Sequence, residues 1–211
     1  MTAADALARN DRYLQGVVEA FGLCPFARQC RTSGQLQRVV LTGEDVHVDL
    51  RAALLALQAA DDDAFEVALV LLPRFVETSA AFETLLRAVE AEVATALAAR
   101  GKAPTCFAVA FHPQLPFTVG QAHQLVGLLR RSPDPTVQLV RRSLLARVRG
   151  VHGEQRYVDI EGASDWNAIL AAAATLAGDV PLSERIANHN LQTWIERGPA
   201  LHAALEATAV R

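Results

Sequence analysis

The first half of the chain alternates between helical and extended hydrophobic patterns. Leu14, Val17 and Val18 recur at helical spacing, which predicts an amphipathic N-terminal helix closed by Gly22. Short apolar runs predict strands at residues 37–42, 66–72 and 105–111. Two longer helical patterns separate these runs, so the order strand, helix, strand, helix, strand is expected.

The signals at the ends of these two helices agree with the pattern. Thr42 and Asp45 form a capping-box-like start for the first helix, and Gly101 is the natural stop of the second. Two such crossovers give parallel strands covered by helices. The predicted fold class is therefore α/β, a mostly parallel sheet of three or four strands with helices on both faces, in a single domain over residues 1–211.

The second half is predicted to form a helical C-terminal part of the same domain. Apolar periodicity indicates four helices, and a short run between glycines could add an edge strand. The helices are expected at residues 121–129, 136–149, 165–176 and 182–196, and the strand at 156–160.

Composition and charge narrow the class of protein. With 51% hydrophobic and 20% charged residues and a formal charge of −3, the chain is globular and has no general attraction to nucleic acid or an anionic membrane. Three irregularly spaced cysteines argue for reduced thiols. The N-terminal residues lack the apolar stretch of a secretory signal, and no apolar tract is long enough for a membrane span. We expect a cytoplasmic protein whose partner is a small molecule.

His112 is the first candidate for chemistry. Ligands of open parallel sheets bind beyond the carboxyl ends of the strands, and His112 and Pro113 directly follow the third predicted strand. A lone histidine is more often a structural residue bonded to a backbone carbonyl. The functional interpretation is a metal ligand or a general base.

Cys24 is the second candidate, because Pro25 turns the chain so that a loop can present the sulfur. A loop thiolate can act as a nucleophile or approach haem iron. The alternative is a buried small hydrophobe, the usual role of a free cysteine. Cys106 lies inside an apolar strand and is predicted to be buried and inert.

A basic segment supplies the third candidate. Arg131 and Ser132 precede the helix predicted near Thr136, and a helix start beside guanidinium groups can bind carboxylate or phosphate. The later arginines, including Arg141, could instead form a solvated basic face. Asn190 is a polar residue within a predicted C-terminal helix.

Together, GLCPFA at residues 22–27, AFHPQ at 110–114, RSPDPTVQLVR at 131–141 and the helical Asn190 resemble a bacterial family known as domain of unknown function 1415. The resemblance runs from about residue 12 to about residue 195. Asp134 stands between two prolines where the family often has a histidine or an aromatic residue, and residues 150–162 look like an insertion. The three motifs are also similar to those of small bacterial proteins that include haem-dependent N-oxygenases acting on amino acids.

The second resemblance implies oxygen or peroxide activation at iron. The leading hypothesis is therefore a haem-binding oxidoreductase in which His112 is the axial ligand and Cys24 shapes the site or alternatively ligates the iron. Phe26 is expected to contact the cofactor, and Arg131 with Arg141 to bind haem propionates or a substrate carboxylate. The residues expected to bind substrate are Arg131, Ser132 and Asn190.

Two other classes of function stay open. The first is a cofactor-free transferase or hydrolase with Cys24 as nucleophile and His112 as base. The second is a non-catalytic module in which the arginine site holds a small anion or a partner's acidic segment.

Overall fold

The computed structural model describes residues 2–20, 24, 27–116, 127, 130–151, 200–201 and 203–208. Helices and strands follow each other along the chain, and the α/β class is confirmed. The helices are α1 (Ala3–Tyr13), a π-helical segment (Leu14–Glu19), α2 (Ala27–Thr32), α3 (Val46–Ala59), α4 (Ser79–Ala98) and α5 (Arg142–Val151), with a further helical stretch at 203–208. The strands are β1 (Leu36–Val40), β2 (Val67–Leu71), β3 (Cys106–Phe111) and β4 (Thr136–Arg141).

Side-chain caps fix the starts of the long helices. Asp45 accepts from the Val48 N–H and begins α3, so the predicted capping box at Thr42 is wrong and Asp45 is itself the cap. Thr78 caps α4 in the same way. Gly101 follows that helix with a φ of 67°, the left-handed conformation expected of its stop.

The four strands form one sheet in the order β1-β2-β4-β3. Only β1 and β2 pair in parallel, whereas β4 lies antiparallel between β2 and β3. Strands β1, β2 and β3 therefore run in one direction, as the two crossovers predicted. The expectation that most strand pairs are parallel is wrong, because a reversed strand separates β2 from β3.

The reversed strand comes from residues that were predicted to begin a helix. Thr136–Arg141 is a strand, and the helix starts only at Arg142. In this segment Val137 and Leu139 pack into the core on one face, with Gln138 between them on the other. This period of two, with β-branched residues, suits a strand better than a helix.

Helices cover both faces of the sheet, as predicted. On one face α3 and α4 place apolar side chains such as Leu54 and Phe82 against Ala68 and Val70 of β2. On the other face Leu14, with further residues of the N-terminal segments, packs on the alternate residues of β2. Among the described helices none is long and apolar enough to cross a bilayer.

Several predicted elements fall where the structure gives no description. The helix at 121–129 lies outside the described residues except for residue 127. The strand at 156–160 and the helices at 165–176 and 182–196 lie wholly outside them.

Candidate functional site

The carboxyl ends of β1, β2 and β3 meet the start of β4 at one edge of the sheet, because Thr136 pairs with both Leu71 and Phe111. Two cavities that the described residues form adjoin this edge. A polar one of about 300 Å³, the strand-end pocket, contains His112, Glu77 and Asp134 in its wall. The other, the apolar cavity of about 490 Å³, lies between the sheet and the N-terminal helices.

His112 lies at the sheet edge that the sequence predicted, but both of its ring nitrogens are engaged. Nε2 donates to the Glu77 carbonyl oxygen at 3.1 Å, and Nδ1 accepts from the Gln114 N–H at 3.1 Å. The side chain is 2% exposed and packs against Phe75 and Phe82. Burial lowers the pKa of His112, and the acceptor role of Nδ1 requires the neutral ring. This geometry fits the structural alternative, and His112 does not fit the role of iron ligand or base.

Asp134 also lies in the wall of the strand-end pocket, where it forms a buried ion pair with Arg9. Arg9 Nε and Nη2 donate to its carboxylate at 2.9 to 3.1 Å. The hydroxyls of Ser132 and Thr136 both donate to the Asp134 carbonyl oxygen, at 2.6 and 2.8 Å. These bonds fix the turn into β4 rather than cap a helix. No local signal marks Arg9, because its partner is far away in sequence.

The apolar cavity has a strand floor and a helical roof. Leu69, Val109 and Val140 belong to its floor, and Leu14 and Leu144 to its roof. Nearly all of this wall is hydrocarbon, so the cavity suits a ligand with an apolar body.

A few polar groups interrupt this apolar wall. Asn10 is 1% exposed, and its Oδ1 has no hydrogen-bond partner in the described part of the chain. Arg130 Nε donates to the Ala110 carbonyl oxygen at 3.0 Å. Ser132 also lines the cavity, but its hydroxyl proton is already given to Asp134. Asn10 and Arg130 are functional candidates that the sequence reasoning missed.

The three thiols differ in what they can do. Cys24 is half-buried in the wall of the apolar cavity, and its sulfur has no hydrogen bond within the described residues. Cys30 also lines the cavity but donates to Glu66 Oε2 at 3.3 Å, and burial raises its pKa to about 12. Cys106 is buried on the other face of the sheet, as predicted, and burial raises its pKa. Cys24 is therefore the thiol most open to a ligand in this cavity.

Cys24 and His112 do not meet. Cys24 packs with the core on the face of α1, whereas His112 contacts Phe82 of α4 on the opposite face. Each lines a different cavity. The predicted pairing of a Cys24 nucleophile with a His112 base is therefore not formed.

The two arginines chosen from the sequence have structural partners. Arg131 Nε donates to the Leu115 carbonyl oxygen at 2.9 Å, burial lowers its pKa, and Glu206 opposes that shift. Arg131 precedes a strand rather than a helix start, so the predicted anion site on a helix is absent there.

Arg141 lies at the far edge of the sheet, at the end of β4, and is 1% exposed. Its guanidinium donates to Thr105 Oγ1 at 2.9 Å and to the carbonyl oxygens of Ala60 and Asp61 at 3.0 and 2.6 Å. It also stacks over the Phe65 ring. Arg141 thus holds a loop against the sheet and lines neither the strand-end pocket nor the apolar cavity, so it is not placed for the predicted binding role there.

Two predicted site residues, Phe26 and Asn190, lie outside the described residues. Within the described ranges, no group of three or more histidine, cysteine, aspartate or glutamate side chains could hold a metal ion. A haem iron needs only an axial ligand from the protein, since the porphyrin supplies the others.

A comparison of the sequence with models of protein families matches residues 5–162 to a family described as "Protein of unknown function (DUF1415)". Neither a curated protein nor a solved structure matches the chain.

Proposed function

The chain belongs to the DUF1415 family, and we propose that it is a haem-binding oxidoreductase in which the Cys24 thiolate ligates the iron. Bound haem would supply oxygen or peroxide activation, and a thiolate ligand favours cleavage of the O–O bond.

The observation that carries the proposal is the position of Cys24. Its thiol lies in the wall of a cavity of about 490 Å³ that is otherwise almost wholly apolar. This volume is within the range of cofactor sites, and a porphyrin is a flat, largely apolar ligand. The sulfur has no competing hydrogen bond in the described part of the chain, whereas the neighbouring Cys30 thiol is bound to Glu66.

The chain's own contribution would be to bind, orient and exclude water. Val109 and Leu69 present hydrocarbon from the sheet, and Leu14 and Leu144 close the cavity from the other side. An apolar wall of this kind keeps bulk water from the reacting centre. Cys24 follows the N-terminal helical segments, whose buried Val17 fixes them on the sheet.

The alternative of a thiol-dependent transferase or hydrolase is not supported, because the predicted general base does not lie beside Cys24. A cysteine nucleophile needs an adjacent base or cation to form the thiolate. The predicted base, His112, is buried in the other cavity with both nitrogens engaged. Ligation to a metal stabilises a thiolate without such a base.

The proposal is tested by producing the protein in haem-supplemented cells and recording its visible spectrum. The purified protein is expected to show a Soret band, and its ferrous carbon monoxide complex a strongly red-shifted, thiolate-type band. The informative variant is Cys24→Ala. The matched control is Cys30→Ala, which removes the other thiol of the same cavity.

The red-shifted band should survive in Cys30→Ala and disappear in Cys24→Ala. Retention of the band in Cys24→Ala would refute thiolate ligation by this residue. A colourless parent protein that takes up no added haemin would refute the haem proposal itself and leave the binding module as the better hypothesis.

A further inference from the structure

The apolar cavity is lined by polar groups whose hydrogen-bonding capacity is partly unused within the described residues, and two of these groups are Asn10 and Arg130. Asn10 comes from α1, and Arg130 from the segment that leads into β4. Both line the cavity. Arg130 does so beside the end of β3, because it is bonded to Ala110 and His112. The hydrogen-bond partners that these two groups lack indicate the chemistry of a ligand that would bind them.

Arg130 is held in place by its neighbours but not neutralised. Its carbonyl oxygen accepts from the His112 N–H at 3.1 Å, and its Nε donates to Ala110 at 3.0 Å. Within the described ranges, the terminal nitrogens Nη1 and Nη2 have no hydrogen-bond or ion-pair partner. A half-buried guanidinium with a fixed Nε offers the remaining fork to a planar anion.

The acidic residue of the same segment, Asp134, already has a cationic partner. The Asp134 carboxylate accepts three hydrogen bonds from Arg9 and faces the strand-end pocket. The anion that pairs with Arg130 is therefore expected to come from a ligand. A carboxylate matches the planar fork of the guanidinium.

Asn10 adds a second requirement. Its Oδ1 is buried without a partner among the described residues, in a side chain that is 1% exposed and lines the cavity. Buried carbonyl oxygens are nearly always hydrogen-bonded, so an orphaned one points to a missing donor. A ligand N–H or O–H would supply it.

We infer that the apolar cavity binds a carboxylic acid with an apolar body and an N–H or O–H donor, the carboxylate on Arg130 and the donor on Asn10 Oδ1. An apolar amino acid or hydroxy acid has this combination of groups. The inference deepens the proposed function and rests on it for the assignment of the cavity as the reaction site.

Three related probes separate the two requirements. Phenyllactate has the carboxylate and the hydroxyl, phenylpropionate has the carboxylate alone, and phenyllactate methyl ester has the hydroxyl alone. Their affinities can be measured by isothermal titration calorimetry on the haem-free parent protein, in which the cavity is not shared with haem, and the measurement does not depend on turnover. Phenyllactate is expected to bind at least about tenfold more tightly than the ester, since hydrogen bonds to a charged group are the stronger ones.

Two variants locate the effects. Arg130→Gln should abolish the preference for the acid over the ester, and Asn10→Leu should abolish the smaller preference for phenyllactate over phenylpropionate. The control is Arg12→Gln, which removes one positive charge from an exposed position of α1 and should preserve both preferences. Arg130→Lys is a second test that keeps the charge, and it should lose most of the preference because lysine lacks the planar fork.

Equal binding of acid and ester to the parent, or no binding of phenyllactate, overturns the inference whether or not a variant folds. An acid preference that persists in Arg130→Gln also overturns it. A colourless protein with an Arg130-dependent acid preference supports the ligand class while refuting the haem proposal. Haem ligation by Cys24 without any acid preference would support the haem proposal and refute the inferred ligand class.

Discussion

Replacing Arg141 by lysine should destabilise the fold severely without touching the proposed site. The arginine is 1% exposed and donates to Thr105 Oγ1 and to the carbonyl oxygens of Ala60, Asp61 and Phe65. These four acceptors lie around one planar guanidinium. A lysine ammonium has a single nitrogen and a different shape, so it cannot reach all of them from the same backbone position.

The loss in the free energy of unfolding can be worked out from the buried acceptors that lysine cannot reach. Each hydrogen bond to a charged group contributes about 1.5 to 3 kcal/mol, and buried acceptors without a donor are costly. If lysine keeps two of the four bonds of Arg141, we expect a loss of about 3 to 6 kcal/mol in the free energy of unfolding. That is a large part of the 5 to 15 kcal/mol or so that stabilises a typical domain.

Urea unfolding followed by circular dichroism measures this loss. The matched control is Arg142→Lys, since Arg142 is the next residue and its side chain is exposed. This control should change the free energy of unfolding by less than about 0.5 kcal/mol. Equal stability of the two variants would refute the role assigned to Arg141. Phenyllactate affinity measured on the folded fraction should be the same in both variants, because Arg141 lies at the opposite edge of the sheet from the polar groups of the cavity.

Three further predictions concern other buried groups. Mild alkylation of the haem-free protein should label Cys24 but not Cys106, whose thiol is buried with a raised pKa, and rapid labelling of Cys106 in peptide mapping would contradict its burial. Because burial lowers the pKa of His112 below its ordinary 6.5, neutral His112 supports the fold fully above that pH, and this support is lost as the pH falls towards the folded pKa. The urea midpoint of His112→Gln should accordingly depend less on pH below about 6.5 than that of the parent, and parallel profiles would refute this. Asp134→Asn should lower the free energy of unfolding by about 3 kcal/mol, because it leaves Arg9 buried beside a neutral amide. Arg9→Met combined with Asp134→Leu should cost less than the sum of the two single changes. Strict additivity in this double-mutant cycle would argue against the ion pair.

The order of elements from β1 to β3 could be predicted because each has a complete local signal. Val67–Leu71 is a continuous apolar run, and α4 has a capping threonine, a long apolar face and a glycine after its end. The sequence pattern does not separate β4 from the helix that follows it. Residues from Arg142 onwards do form a helix, and their apolar periodicity continues across Thr136–Arg141 when it is read from the sequence alone. The pairing of β4 with β2 and β3 selects the extended form, and that pairing is tertiary.

The sequence predicts the sheet edge at which His112 lies, but not the contacts that the predicted site residues make there. His112 lies there because it follows β3, which a local pattern revealed. Its bond to the Glu77 carbonyl could not be read from the sequence, because the two residues approach each other only after α4 has folded back. The sequence pattern does not distinguish Arg130 from Arg131, because adjacent arginines differ only in the direction of their side chains, which the path of the backbone determines.

The place of β4 in the sheet also determines when the sheet can be completed during synthesis. The parallel pair of β1 and β2 needs only residues up to Leu71, whereas β3 hydrogen-bonds to β4 and not to β2. A growing chain that has just released Phe111 therefore carries two strand edges whose partner has not yet been made. Open edges of this kind invite pairing with other chains. The residues between Phe111 and Thr136 set the length of that exposed interval, and lengthening them would prolong the nascent chain's need for chaperones.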